Sequence, residues 1–173
     1  MNSSMPPDKM RPGARAVVEA LGLSPHPEGG HFVETFRSPL RVGSSLHDGE
    51  RNASTAIYFL LATGEFSAFH RVRSDEVWHH YAGDALELHS IDARGVHERR
   101  LLGVDLVWGE RPQIVIPAGV WQAARPRPGG AGYALVGCTV APGFEFTDFE
   151  MPSRNALREL FPELRVLIEA LTR

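Results

Sequence analysis

At 173 residues, with 43% hydrophobic and 23% charged side chains, the chain has the size and texture of one soluble globular domain, and intrinsic disorder is excluded. A formal charge of −3 gives no electrostatic reason to expect nucleic acid or an anionic membrane as a partner. The single cysteine, Cys138, excludes an intrachain disulfide and suits a reducing compartment.

The start, MNSSMPPDKMRPG, has no apolar stretch of signal-peptide length, and no later run is long enough to span a bilayer. A cytoplasmic protein without membrane contact is therefore expected. Residues 1–12 are polar and Pro-rich and are expected to form a flexible tail, leaving 13–173 as a single domain. Ala14, Val17, Val18 and Leu21 recur at helical spacing, which predicts a short amphipathic helix that Gly22 can end.

From Phe32 to Phe149 the texture changes to short β-rich runs separated by turn residues. In EGGHFVETFR (28–37) the two glycines permit a sharp turn into a strand. Strict alternation would set Phe32, Glu34 and Phe36 on one face and His31, Val33, Thr35 and Arg37 on the other. The planar fork of Arg37 suits a phosphate or carboxylate, and a surface pair with Glu28 or Glu34 is the structural alternative. Ile57–Leu61 is continuously apolar, as a strand covered on both faces requires. Tyr58 within it is a candidate proton donor.

The run GEFSAFHRVRSDEVWHHYAG (64–83) carries the strongest chemical signal. Alternation places Phe66, Ala68, His70 and Val72 on one strand face, and Glu76, Trp78 and His80 on a face of the next. A carboxylate beside an imidazole raises its pKa and orients its ring, so His70 and Glu76 are the candidate acid/base pair. Trp78 shares the parity of Glu76 and is the candidate cavity wall. Cys138 reads as a buried strand residue. After Pro152 helical spacing returns: Ser153 can cap a turn carrying Leu157 and Leu160, and Pro162 can open another carrying Leu164, Leu167 and Leu171. Many short strands without alternating helices predict an all-β sandwich or barrel, with a jelly roll among the options.

The spacing of Gly64, His70, Glu76 and Gly83, followed by PAGVWQ (117–122), resembles the two motifs of the cupin superfamily. HPEGGHFVETFRS, STAIYFLL, DEVWHHYAGD and GCTVAPGFEFTDFE extend the likeness over residues 22–152 to the fifth of the catalogued cupin families, whose reaction is not established. The resemblance implies a double-stranded β-helix, the cupin jelly roll, with short helices at both ends. It places His70, Glu76 and Gln122 in one open cavity. Val72 stands where the motif's second metal-binding His would be, and Gln122 where its third would be, so no metal or other cofactor is expected.

The segment from Glu28 to Arg37 is also similar to a strand of the sugar-nucleotide epimerases on this fold. There such a strand crosses to a partner subunit, which implies a homodimer with Glu34 and Arg37 near the ligand. Three functions follow as expectations. The first is a metal-independent isomerase or epimerase of a sugar derivative or other small polar metabolite, with His70 as base, Glu76 orienting it, and Gln122 or Tyr58 stabilising an oxyanion. A metal-dependent oxygenase or decarboxylase and a non-catalytic binding or storage protein are the alternatives.

Overall fold

Two antiparallel sheets enclose the main core. The structure is a computed structural model that describes Met5 and residues 10–173. Most of the expected N-terminal tail, residues 1–4 and 6–9, lies outside the described residues. The elements run α1 (Pro12–Leu21), β1 (Ser24–Pro25), β2 (His31–Arg37), β3 (Arg41–Val42), β4 (Arg51–Asn52), β5 (Thr55–Ala62), β6 (Ser67–Val72) and β7 (Asp75–Gly83). They continue with β8 (Leu86–Ile91), β9 (His97–Leu102), β10 (Gln113–Ile116), β11 (Trp121–Pro126), β12 (Tyr133–Ala141), β13 (Phe149–Glu150), α2 (Arg154–Leu160) and α3 (Arg165–Ala170).

One sheet has the order β1-β2-β5-β12-β7-β10 and the other β13-β6-β11-β8-β9, with β3 and β4 forming a separate ribbon. From β5 to β8, and again from β9 to β13, consecutive strands alternate between the sheets, as in a jelly roll. Between the sheets, Phe59, Leu61 and Trp78 of the first meet Leu86, Leu88 and Leu102 of the second. Each such side chain stabilises the fold by about 2 kcal/mol on leaving water.

Helices cover parts of both outer faces. Ala14 and Val18 of α1 pack with Leu60 and Ala62 of β5. The helix ends where Gly22 turns left-handed at φ 63°. At the other end Ser153 accepts a hydrogen bond from the Ala156 amide and caps α2. Leu157, Ile168 and Leu171 then pack on Phe69, Ile91 and Trp121 of the second sheet.

Three irregularities in pairing decide what faces the interior, and strict alternation misses them. A bulge at Thr35 pairs Glu34 with Ile57 but Phe36 with Ala56 and Arg37 with Thr55. The extra residue returns Arg37 to the side of Glu34, so the expected opposition of the two does not hold. A second shift pairs His70 with Gln122 but Ser67 with Ala124. Ser67 and His70 therefore share the interior, while Phe66 leaves that face to pack against the C-terminal helical cluster. A third shift, between Leu135 and Val136, lies in the pairing of β12 with β7.

Candidate functional site

At one end of the sandwich the apolar interior gives way to a cavity of about 90 Å3, room for several waters or a small metabolite. His70 of β6, Glu76 of β7, and His26 and Glu28 of the turn before β2 line its polar part. That turn is tight: the His26 amide donates to the Gly30 carbonyl and the Gly29 amide to the His26 carbonyl, at 2.9 and 3.0 Å. Gly29 and Gly30 have φ of 114° and 70°, and a Cβ on either would strike backbone carbonyl oxygens. The glycines thus let the turn press against the strands and deliver His26 and Glu28 inward.

Every member of the cluster is buried. His70 is 2% exposed, and Glu28 and Glu76 are each 7% exposed. The His70 Nδ1 lies 2.8 Å from the Ala68 carbonyl. A carbonyl oxygen only accepts, so Nδ1 carries a proton and Nε2 holds the lone pair in the neutral ring. The Glu28 amide donates to His26 Nδ1 at 3.3 Å, which makes that nitrogen the acceptor in its own ring. Glu28 Oε1 accepts from the Ser67 hydroxyl at 2.8 Å.

Glu28 Oε2 lies 3.4 Å from His70 Nε2 and 3.5 Å from His26 Nδ1. Three lone-pair-bearing atoms therefore face one another, an arrangement that is stable only with a proton among them. Burial works in the same direction. It raises the pKa of Glu28 and Glu76 and lowers that of His26 and His70, despite opposing attractions between the carboxyls and the rings. Both the geometry and burial favour Glu28 over a charged ring as the holder of that proton.

The carboxyl in contact with the His70 ring is Glu28, where the sequence pointed to Glu76. Glu76 influences the ring through its charge, and its Oε2 accepts from Gln122 Nε2 at 2.5 Å. Gln122 Oε1 in turn accepts from the Trp78 indole at 2.9 Å. Gln122 and Trp78 are completely or almost completely buried, at 0% and 1% exposed, and they form a brace behind Glu76. Trp78 is part of the apolar core and not the cavity wall, and Gln122 has its amide committed on both ends. Tyr58 stands on the opposite face of β5, 36% exposed and edge-on to Tyr81, away from the cavity. Neither Gln122 nor Tyr58 is placed to steady an oxyanion.

Arg37 reaches the rim, but it is not a free anion receptor. Its Nε and one Nη2 hydrogen go to Glu34 at 3.0 and 2.8 Å, and Nη2 also reaches the Phe144 carbonyl at 3.2 Å. Nη1 donates to Asn52 Oδ1 at 3.1 Å and Glu145 Oε1 at 2.7 Å. All five guanidinium hydrogens are thereby used, and the charge-assisted bonds raise its pKa. Arg37 ties β2 to the segment 144–149.

That segment, which the sequence offered only as part of a family likeness, builds the apolar wall. Phe149 stacks on the His70 ring with centroids 5.3 Å apart, and Phe146 lies near-parallel to His26 at 6.1 Å. Phe144 and Phe32 complete the wall. His26, Glu28 and these phenylalanines are the site residues that residue-by-residue reading missed. The Phe-x-Phe-x-x-Phe spacing beside a strand end was the available signal.

Metal use by cupins raises the question of whether this donor set fits one. Val72 offers no ligand, Gln122 is engaged with Trp78 and Glu76, and among the described residues no three His, Cys, Asp or Glu side chains are grouped to hold a metal ion. The residues do not fit a transition metal.

A jelly roll closed around a buried polar cavity defines the protein as a cupin. Residues 15–152 match the family Cupin_5, described as cupin superfamily (DUF985), and the chain belongs to that family. It is similar to the uncharacterized protein YML079W of Saccharomyces cerevisiae, at 32% identity over 76% of this chain and 71% of that protein. Among solved structures, a hypothetical protein from Leishmania major matches with a TM-score of 0.86 and 36% identity, covering 92% of this chain and 98% of that one. Protein SO0799 from Shewanella oneidensis matches at 0.84 and 38%, covering 91% and 96%. Among the described residues no helix is long and apolar enough to cross a membrane.

Proposed function

We propose that this cupin catalyses a metal-independent proton transfer on a small molecule, of the isomerase or epimerase type, with His70 as the base. The observation that carries this reading is the proton-sharing contact of Glu28 Oε2 with His70 Nε2 and His26 Nδ1, set inside a cavity. The bond from Nδ1 to Ala68 fixes the tautomer in which Nε2 is basic, and a ring kept neutral by burial is ready to accept a proton near neutral pH.

In the proposed step His70 Nε2 takes a proton from a carbon next to a carbonyl. The electron pair of that C–H bond moves to form an enolate, whose charge is balanced by the imidazolium that His70 becomes. Return of a proton from His70 to a different carbon, or to the other face, completes an isomerisation without any co-reactant. Phe146 and Phe149 limit water in the cavity and so strengthen the charge interactions inside it.

The test is deuterium wash-in. Small aldehydes, ketones and keto acids are incubated with the protein in D2O, and C–H exchange is followed by NMR. Catalysed exchange that falls by about 100-fold or more in His70→Asn supports the reading, since a positioned base contributes on that order. Equal exchange in the variant, or none above buffer across the set, would overturn it.

A further inference from the structure

Starting from the site read above, we infer that its ligand carries an ammonium group, which displaces the proton shared by Glu28, His26 and His70. The inference concerns ligand charge, and it begins at the rim. Glu34 and Glu145 face one guanidinium, Arg37, whose hydrogens are all spent within the protein. The rim therefore carries a formal charge of −1 and has no cation left to greet an anion.

Deeper in, the lining changes from carboxylate with arginine to carboxyl with neutral imidazole. Among the described residues, Arg37 is the only lysine or arginine in the lining. Arg173 acts on Glu28 only through its charge, its Nη2 being bonded to the Phe66 carbonyl at 3.0 Å. A phosphate or carboxylate ligand would thus meet no uncommitted cation, only the neutral donors of the protonated Glu28 carboxyl and the His26 ring. An N–H-bearing cation meets the reverse: Glu28 Oε2 accepts from it, and the negative faces of Phe146 and Phe149 attract it. This is the opposite of what Arg37 suggested in the sequence, and it argues against sugar nucleotides, as the small cavity does.

The groups facing Glu28 set the pH dependence. They are His26, the Ser67 hydroxyl, His70, Glu76 and, through space, Arg173. In the empty cavity Glu28 holds its proton to higher pH than an exposed glutamate. A bound ammonium stabilises the carboxylate and expels that proton, so affinity rises with pH through the range where the cavity titrates. At low pH, protonated rings repel the ligand as well, and the two effects have the same sign.

Three probes of one shape test this: isobutylamine, isobutanol and isobutyrate, titrated into the whole protein by NMR at pH 6 and pH 8. Isobutylamine should bind at least tenfold more tightly than isobutanol at pH 8, with isobutyrate weakest, and calorimetry in buffers of different ionisation enthalpy should show proton release. Glu28→Gln supplies an N–H donor in place of the proton, and should erase the amine's advantage over isobutanol. Equal affinities, a preference for isobutyrate, or no binding of the amine would overturn the ligand assignment. The deuterium test of His70 is read independently, because isobutylamine has no carbonyl-activated C–H. Loss of one result with survival of the other separates the two proposals.

Discussion

Two parts of this molecule put a buried glutamate beside imidazole and treat it in opposite ways. On the outer face of the second sheet, Glu87 of β8 accepts from Arg99 and Arg125, each at 2.8 Å, and lies 3.7 Å from His89 Nε2. Despite its burial the Glu87 carboxyl has a lowered pKa, because two guanidinium groups outweigh desolvation. His89, bonded to His97 at 3.0 Å, is driven down to about 4 by burial and then by His97. Within the cavity Glu28 has two rings and a serine but no bonded guanidinium, and burial prevails. Arginine, not histidine, decides whether a buried glutamate is a structural anion or a reserve of protons.

Breaking the outer cluster should produce the largest change in stability. Glu87→Gln leaves Arg99 and Arg125 without their anion and should cost about 2 kcal/mol at pH 7, measured by urea unfolding. Because the folded pKa of Glu87 is depressed, its contribution is present above the unfolded value near 4.5 and is lost as pH falls through the folded one. The variant and the parent should therefore converge in stability only as pH falls below the depressed folded pKa of Glu87. A constant difference across pH would show that Glu87 is not ionised.

Arg37→Ala cuts the ties between β2 and the 144–149 segment and should cost about 1–2 kcal/mol, less than five bonds suggest because the site is partly exposed. Arg37→Lys should recover little of it, since one ammonium cannot replace the fork. Full recovery by lysine would mean that charge alone matters at the rim.

Glu28→Gln should have the sign opposite to Glu87→Gln. The folded pKa of Glu28 is raised, so the parent loses stability as pH climbs from the unfolded value near 4.5 through the folded one. A neutral amide that can donate to the rings removes that loss, and the variant should gain up to about 1 kcal/mol at pH 8 and nothing at pH 4. A destabilised variant at pH 8 would collapse the contrast between the two glutamates. The smallest effect belongs to Tyr58→Phe, which should change stability by less than about 0.5 kcal/mol and leave cavity binding untouched.

The contrast also explains what the sequence could reveal. Helical spacing of Ala14, Val17, Val18 and Leu21, the Ser153 cap and the short alternating strands are local signals, and the structure contains the elements they predict. The jelly-roll topology was legible through the family likeness, because strand order is not written in local spacing. Within the site, parity pointed to His70 and Glu76, which line the cavity, while the family likeness added Gln122, which lies behind Glu76 and outside the lining. It failed at Arg37 and Phe66, where bulges shift the register by one residue. It could not show that Arg37 is saturated, because Asn52 and Glu145 come from distant segments. Nor could it show that Glu28, drawn inward by a glycine turn, takes the partner's place assigned to Glu76.

The protonation state of His70 is the most direct test of the account. Long-range 15N–1H NMR of the imidazoles, assigned with His70→Asn, reports both tautomer and titration. The account predicts a neutral ring with the proton on Nδ1 at pH 7 and a midpoint below 6.5. A proton on Nε2 of the neutral ring, or a midpoint above 6.5, would contradict it.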